Sequence, residues 1–348
     1  MKKMKFSLEP ETGTLSERDA KRYFSTVGFA TCVLMIASVV GTLLLVLPID
    51  LLAPTLLDDP WISSILSAIP MYGIAFPLFG LILRRLPRDT VPVEPMKGKT
   101  WFMGLCVTNT LMMAGNYIGT FFILFFEQAM KRPQTNPVEE ATVGQSIWIN
   151  LIFVAILPPI LEELFFRKIL CDRLLPLGEG YAIVLSAAVF GLVHGNFFQF
   201  FYAFFLGAFF ALVYIRTGRI RYSIFYHMIV NLFGGVLMPW CLERIEPMLE
   251  ESWMTELLTL AEQGNAQDML TMIQPFVLPM MILLIYEVIL FGTAIAGIVI
   301  MVQKRKTIRL QTGLIPPPQK GRVANIFLNG GVAAAIAVFA AVFILSLL

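Results

Sequence analysis

Apolar residues run along this chain in nine blocks, at about 25–49, 61–83, 101–126, 146–161, 181–197, 199–215, 222–240, 273–302 and 324–347, with polar and charged residues gathered between them. A helix that crosses a bilayer needs about 20 consecutive apolar residues, the scale of these blocks. The pattern predicts an all-α polytopic membrane protein, a bundle of about nine transmembrane helices. The first block begins after a 24-residue segment rich in polar and charged residues. It starts too late and runs too long for a cleaved signal peptide, so it reads as an uncleaved first span. The fourth block is interrupted by Glu162 and Glu163, yet helical periodicity continues through Phe165, Phe166, Ile169 and Leu170 to about Leu175. Pro158 and Pro159 stand just before the two glutamates and predict a kink or break there.

Composition agrees and narrows the class. Of 348 residues, 57% are hydrophobic and 14% charged, where soluble domains carry roughly 25% charged residues. A net charge of +2 gives no reason to expect a nucleic-acid partner; the surrounding partner is membrane lipid. Four scattered cysteines, with no CxxC pair, suggest neither a disulfide framework nor a cysteine metal site.

The connecting segments alternate in charge. Lys2, Lys3, Lys5, Arg18, Lys21 and Arg22 make the N-terminus basic, and so do the cations of 84–99, of Arg167–Arg173, of Arg216–Arg221 and of Lys304–Arg322 for their segments. Segments 50–60, 127–145, 195–198 and 241–271 are neutral, mixed or acidic. By the positive-inside rule the N-terminus is cytoplasmic and the C-terminus outside, in an integral protein of a bacterial plasma membrane. The chain divides into residues 1–145 (N-terminal segment and spans 1–3), 146–240 (spans 4–7, where the unusual polar residues lie), 241–271 (an outward acidic loop) and 272–348 (spans 8–9). Residues 86–100, with Pro87, Pro92 and Pro95, read as a cytoplasmic linker. Residues 242–270 carry seven acidic side chains against Arg244, and Leu257, Leu258 and Leu260 predict a short surface helix there.

Ionisable residues inside a bilayer are costly, roughly +2.5 to +3.5 kcal/mol each at a helix centre, so those present are candidates for chemistry. Glu163 and Arg167 are four apart and share a helix face, which predicts that they pair. Glu162 is rotated about 100° away. Its i+4 neighbour is Phe166, so it has no cation and suits a general base. Against this stands the plain reading of flanking charges at the end of a span. Both histidines of the chain, His194 and His227, lie in or beside apolar blocks. Phe190 precedes His194 by one turn and can pack on its ring, although a lone histidine in an apolar helix is more often hydrogen-bonded core. His227 and Asn231 occupy i and i+4, on one face, where they could equally be a polar pair that joins helices.

Together these elements weigh more. Pro176, Gly178 and Gly180 predict a turn near Leu177–Glu179, with Glu162 about 15 residues before it and His194 about 15 after it. Antiparallel helices then bring both to one height. Straight-helix arithmetic over 199–215 nevertheless sets His194 higher than His227, so either the sixth span is strongly tilted or the fifth extends beyond His194.

Glu-Glu-x-x-x-Arg, Phe-x-x-x-His and His-x-x-x-Asn, in that order on successive apolar segments, resemble the CPBP family. That family takes in the CAAX prenyl endopeptidases and bacteriocin-processing or bacteriocin-immunity membrane proteins. The resemblance covers residues 146–240, with Thr217-Gly218 between the last two motifs. It implies a glutamate-dependent intramembrane peptidase with a cytoplasm-facing site and a peptide or membrane-protein substrate. Glu162 and His194 would activate water, His227 and Asn231 would stabilise the oxyanion, and Glu163, Arg167 and Phe190 would support them. Asn is a poor zinc ligand and no HExxH is present, so the expectation is that no cofactor is required; zinc on Glu162, His194 and His227 is the alternative. Two rivals are a non-catalytic immunity or scaffold relative and a transporter, the latter on the strength of Glu287 in the eighth block.

Overall fold

The computed structural model describes residues 3–348, so Lys2 of the basic N-terminus lies outside the described residues. The apolar blocks become helices α1 (Glu17–Leu52), α2 (Pro60–Leu83), α3 (Gly98–Met130), α4 (Ile147–Leu177), α5 (Glu179–Leu192), α6 (Phe197–Thr217), α7 (Ile220–Leu249), α8 (Ala266–Lys304) and α9 (Gly330–Leu345). Local chemistry sets their starts. The Ser16 hydroxyl accepts from the Asp19 N–H ahead of α1, and the Asp59 carboxylate accepts from Trp61 and Ile62 ahead of α2, where Pro60 occupies the first helical position. Asn196 and Asn329 cap α6 and α9 in the same way.

Among the described residues, seven helices are long and apolar enough to cross a membrane. The other two expected spans are shorter. α5 has 14 residues and α9 has 16, or about 21 and 24 Å at 1.5 Å per residue, against a hydrocarbon core of about 30 Å. α5 is short because it stops inside the bundle, at the turn that carries His194.

α6 packs chiefly against α3 and α5, α8 against α3, and α1 against α2 and α9. The main core joins Phe24 of α1, Phe76 and Phe79 of α2, Phe166 and Leu170 of α4, and Phe190 of α5. Gly207 of α6 permits a close approach to α5: a Cβ there would stand 2.9 Å from the Phe190 ring and 3.1 Å from the Ala187 backbone.

Of the kink or break expected at Pro158-Pro159, no break occurs; α4 runs on as one helix. Instead, two π-helical stretches, Leu151–Ile156 and Leu164–Cys171, bracket an α-helical segment, Leu157–Glu163. Widening the turn is one way for a helix to absorb residues that lack an N–H.

The basic segments meet at one end of the bundle. Backbone bonds join Met4 to Arg85, Leu15 to Pro316, Glu179 to Gln311 and Ile315 to Pro176. The segment 86–100 is no loose linker. Its Asp89 N–H donates to the Asp172 carbonyl and its Glu94 N–H to the Thr217 carbonyl, so it straps the α4–α5 and α6–α7 turns together. At the other end the short helix expected in the acidic loop forms as Glu251–Glu262, after α7 has continued to Leu249.

Candidate active site

Glu162 lies 15 residues from either end of α4, about 22 Å from each at an α-helical rise. The neighbouring carboxylates have opposite surroundings. Glu163 is fully buried, and Arg167, equally buried, donates to it from Nε to Oε2 at 2.9 Å and from Nη2 to Oε1 at 3.3 Å. The expected i,i+4 pairing is present. Arg167 also donates to Ser186 Oγ at 3.3 Å, and its guanidinium lies 5.5 Å from the Phe190 ring centre. Glu162 has no cationic side chain on it. Its Oε1 accepts from the Tyr72 hydroxyl at 2.8 Å, and its Oε2 lies 3.9 Å from His227 Nε2.

His227 stands between the two carboxylates. Its Nδ1 is 3.5 Å from Glu163 Oε1, close enough to feel the charge but long for a hydrogen bond, and Nδ1 is buried without another partner. Phe190 fixes the rings: its centre is 5.2 Å from that of His194 and 5.5 Å from that of His227, edge-on to both. Phe210 closes the other side of His227 at 5.8 Å.

His194 follows the end of α5 and precedes Gly195, whose φ of +69° reverses the chain. Its Nδ1 is 2.8 Å from the Phe190 carbonyl. A carbonyl only accepts, so Nδ1 carries the proton and Nε2 keeps a free lone pair. α5 therefore does not extend beyond His194. The α6–α7 turn is held near Lys168 and Asp172: Lys168 Nζ is 3.5 Å from the Gly218 carbonyl, and the Tyr214 hydroxyl donates to Asp172 at 2.6 Å. His227 thus starts its climb along α7 from partway up α4 and reaches the glutamates.

Asn231 owes its position to the prolines. The helical partners of the Val154 carbonyl at i+4 and i+5 would be Pro158 and Pro159, neither of which has an N–H. Asn231 Nδ2 fills that vacancy with a bond of 2.9 Å, leaving its second N–H and its Oδ1 uncommitted.

All four side chains, Glu162, His194, His227 and Asn231, line one cavity of about 170 Å³. A second polar cavity of about 330 Å³ adjoins it, sharing Val154, Gln199, Tyr202, Val230 and Asn231. This extension reaches Asn136 and Val138, in the connection opposite the basic loops, where a site facing the basic end was expected. Sequence reasoning missed Tyr72, Gln199 and Tyr202. Gln199 and Tyr202 are polar groups three apart in an aromatic block, joined at 3.1 Å, a signal that could have been read. Tyr72 lies in a helix with no motif of its own. Glu287, on α8, is not among the residues that line either cavity.

The zinc alternative needs Glu162, His194 and His227 to converge on one ion. Among the described residues no group of three His, Cys, Asp or Glu side chains is placed to hold one. The 3.9 Å between Glu162 Oε2 and His227 Nε2 is also wider than the roughly 3.4 Å that tetrahedral bonds of about 2.0–2.1 Å would set. The donor set as folded does not fit zinc.

Residues 144–233, which contain every element of this site except Tyr72, match the family model "Type II CAAX prenyl endopeptidase Rce1-like". The chain is similar to "Putative membrane peptidase YdiL" of Bacillus subtilis (strain 168), 30% identical over 178 residues, covering 49% of this chain and 69% of the relative. It is also similar to "Membrane-embedded CAAX protease MroQ" of Staphylococcus aureus (strain USA300), 35% identical over 99 residues, covering 26% of this chain and 40% of the relative. No solved structure matches.

Proposed function

Since this chain belongs to the Rce1-like family of CAAX-type membrane peptidases, we propose that it is an intramembrane endopeptidase working from the cavity around Glu162. One observation carries the reading: the Glu162 carboxylate, partly open to the cavity and with no Arg or Lys on it, shares that cavity with both histidines of the chain and with Asn231. Hydrolysis of a peptide bond needs a base for water, a proton for the leaving amine and donors for the oxyanion. Tyr72 holds one oxygen of Glu162 and leaves Oε2 to take a proton from water. The free Nε2 of His194 accepts from the same water and fixes its attack. His227, with its ring nitrogens directed at two carboxylates, presents Nε2–H to the developing oxyanion, joined by the uncommitted N–H of Asn231. Glu162 then returns its proton to the leaving amine. Glu163 and Arg167 do not react; they hold α4 and the His227 ring.

The adjoining polar cavity gives an extended peptide room beside the reacting groups, and the substrate in this reading is a peptide or a membrane-protein segment. The basic end of the bundle is cytoplasmic, with the N-terminus on that side and the C-terminus outside. No cofactor is required.

Glu162→Gln tests the reading. It preserves size and the Tyr72 contact but removes the proton acceptor, so turnover of a peptide by purified protein in liposomes falls about 10²–10⁴-fold. Thermal stability holds or rises, because a strained charge has been removed. Turnover unchanged in a folded Glu162→Gln protein refutes the assignment.

A further inference from the structure

A cleft between α2 and α4 at the basic end of the bundle has no part in the chemistry above. It encloses about 570 Å³ and shares no lining residue with the catalytic cavity. Phe76 stands between the two, its ring centre 4.4 Å from that of Phe165 and 5.6 Å from that of Phe166. Four cations line the cleft: Arg84, Arg88, Lys168 and Arg173. Toward the middle of the bundle the walls become apolar, through Pro77, Leu81, Phe165 and Ile169, and Leu81 is exposed on the bundle surface.

The charge in this cleft is not neutralised from within. Asp172 pairs with Arg88 at 2.7 Å, and its other oxygen is occupied by the Tyr214 hydroxyl at 2.6 Å. Among the described residues, Arg84, Lys168 and Arg173 enter no ion pair. Lys168 sits 4.7 Å from the Tyr214 ring centre. Arg173 donates Nη1 to the Ile169 carbonyl at 2.8 Å, while its Nε is buried with no partner. Several cations held together at the end of two membrane helices repel one another unless an anion lies between them. The layering supplies the rest of the description: charge at the basic end of the bundle, apolar walls toward its middle, and Leu81 on the exposed bundle surface.

We propose that this cleft binds one anionic phospholipid, its headgroup phosphate between Arg84, Lys168 and Arg173 and its acyl chains along Leu81, Phe165 and Ile169. Basic pockets between transmembrane helices are suited to such headgroups. Lys168 and Arg173 belong to the same helix as Glu162, so the lipid buttresses the helix that carries the catalytic glutamate. The inference is independent of the peptidase reading.

The test uses the full-length protein, purified in detergent and titrated with phosphatidylglycerol or phosphatidylcholine. Retained lipid is counted by native mass spectrometry, and melting temperature is followed alongside. Phosphatidylglycerol is expected to be retained preferentially and to raise the melting temperature. Each cation near an anionic surface contributes about 5-fold in affinity, so Arg84→Gln/Arg173→Gln should weaken retention by about 30-fold while Arg84→Lys/Arg173→Lys keeps most of it. Should the Gln pair fail to fold, Gly80→Leu leaves every charge in place. It crowds the apolar half, where a Cβ would already stand 3.5 Å from Ile169, and is expected to expel the lipid as well. Equal retention of the two lipids, or retention unaffected by both variants, overturns the proposal. Displacement of the lipid by millimolar inorganic phosphate would reassign the cleft to a small anion. Displacement by a peptide with a free C-terminal carboxylate would reassign it to substrate.

Discussion

Arg167 gives the sharpest quantitative test of how the site is built. Its side chain and that of Glu163 are wholly buried, joined by bonds of 2.9 and 3.3 Å, and Arg167 adds a third bond, to Ser186. Arg167→Met removes the cation and leaves Glu163 ionised inside the bundle with only His227 Nδ1, 3.5 Å away. Breaking a buried pair from one side costs about 3–5 kcal/mol, a large share of the roughly 5–15 kcal/mol that holds a protein folded. At about 2–4 °C per kcal/mol the melting temperature should drop on the order of 10 °C. The double variant Glu163→Met/Arg167→Met removes both charges and fills the same space, so most of the loss should be recovered. Turnover should not recover with it, because His227 has lost the carboxylate that faces its Nδ1. The assays are thermal melting in detergent and peptide cleavage in liposomes on the same preparations. If Arg167→Met costs less than about 1 kcal/mol, or the double variant is no more stable than the single, the pair is not the structural anchor described here.

Three further outcomes follow from the same geometry. Tyr72→Phe deletes the bond to Glu162 Oε1 and should lower turnover about 10-fold or more, since bonds to charged groups contribute about 1.5–3 kcal/mol; unchanged kinetics would place Tyr72 outside the machinery. Asn231→Ala should slow turnover about 10²–10³-fold as a lost oxyanion donor. It should also destabilise by about 1–3 kcal/mol, because the Val154 carbonyl loses its partner, and a rate loss with no stability loss would contradict the Asn231–Val154 bond. Single cysteines at 84–99 and 304–322 should label from the cytoplasmic side and those in 242–270 from outside, and labelling of 242–270 only from the cytoplasmic side would overturn the proposed topology.

What the sequence made legible was what periodicity and spacing encode. The i,i+4 relation of Glu163 to Arg167, the shared face of His227 and Asn231, and the turn at Gly178 each depend on a few neighbouring residues, and each is present. The helix count was harder. α5 is apolar enough to pass for a span but ends after 14 residues, because Gly195 and the Asn196 cap reverse the chain inside the bundle. Hydropathy does not register a turn whose polar groups are satisfied locally, as the Asn196 bonds to the His194 carbonyl and to Gln199 are here. The prolines were read as a kink or break because the usual rule counts lost helix bonds. A partner 77 residues away supplies the missing one. Tyr72 is 90 residues from Glu162, and no local pattern in α2 marks it. For the prolines and for Tyr72 a long-range contact decided the outcome.

The contrast between Glu162 and Glu163 bears on whether the site turns over substrate or only keeps a fold. Both carboxylates lie midway along an apolar membrane helix, where an ionised group costs roughly 2.5–3.5 kcal/mol on insertion scales. Glu163 offsets that cost with Arg167 and so accounts for itself as structure. Glu162 does not: a phenol and a histidine 3.9 Å away are what it has, and 14% of its side chain remains open to the cavity. A purely structural position would tolerate glutamine there, with the same bond from Tyr72 and no charge. His194 repeats the pattern, since its Nδ1 is consumed by a backbone carbonyl and its Nε2 lone pair is left without a protein partner. Uncommitted acceptors on two elements around one polar cavity are costly to maintain and suited to holding a water for attack. That combination favours catalysis over scaffolding.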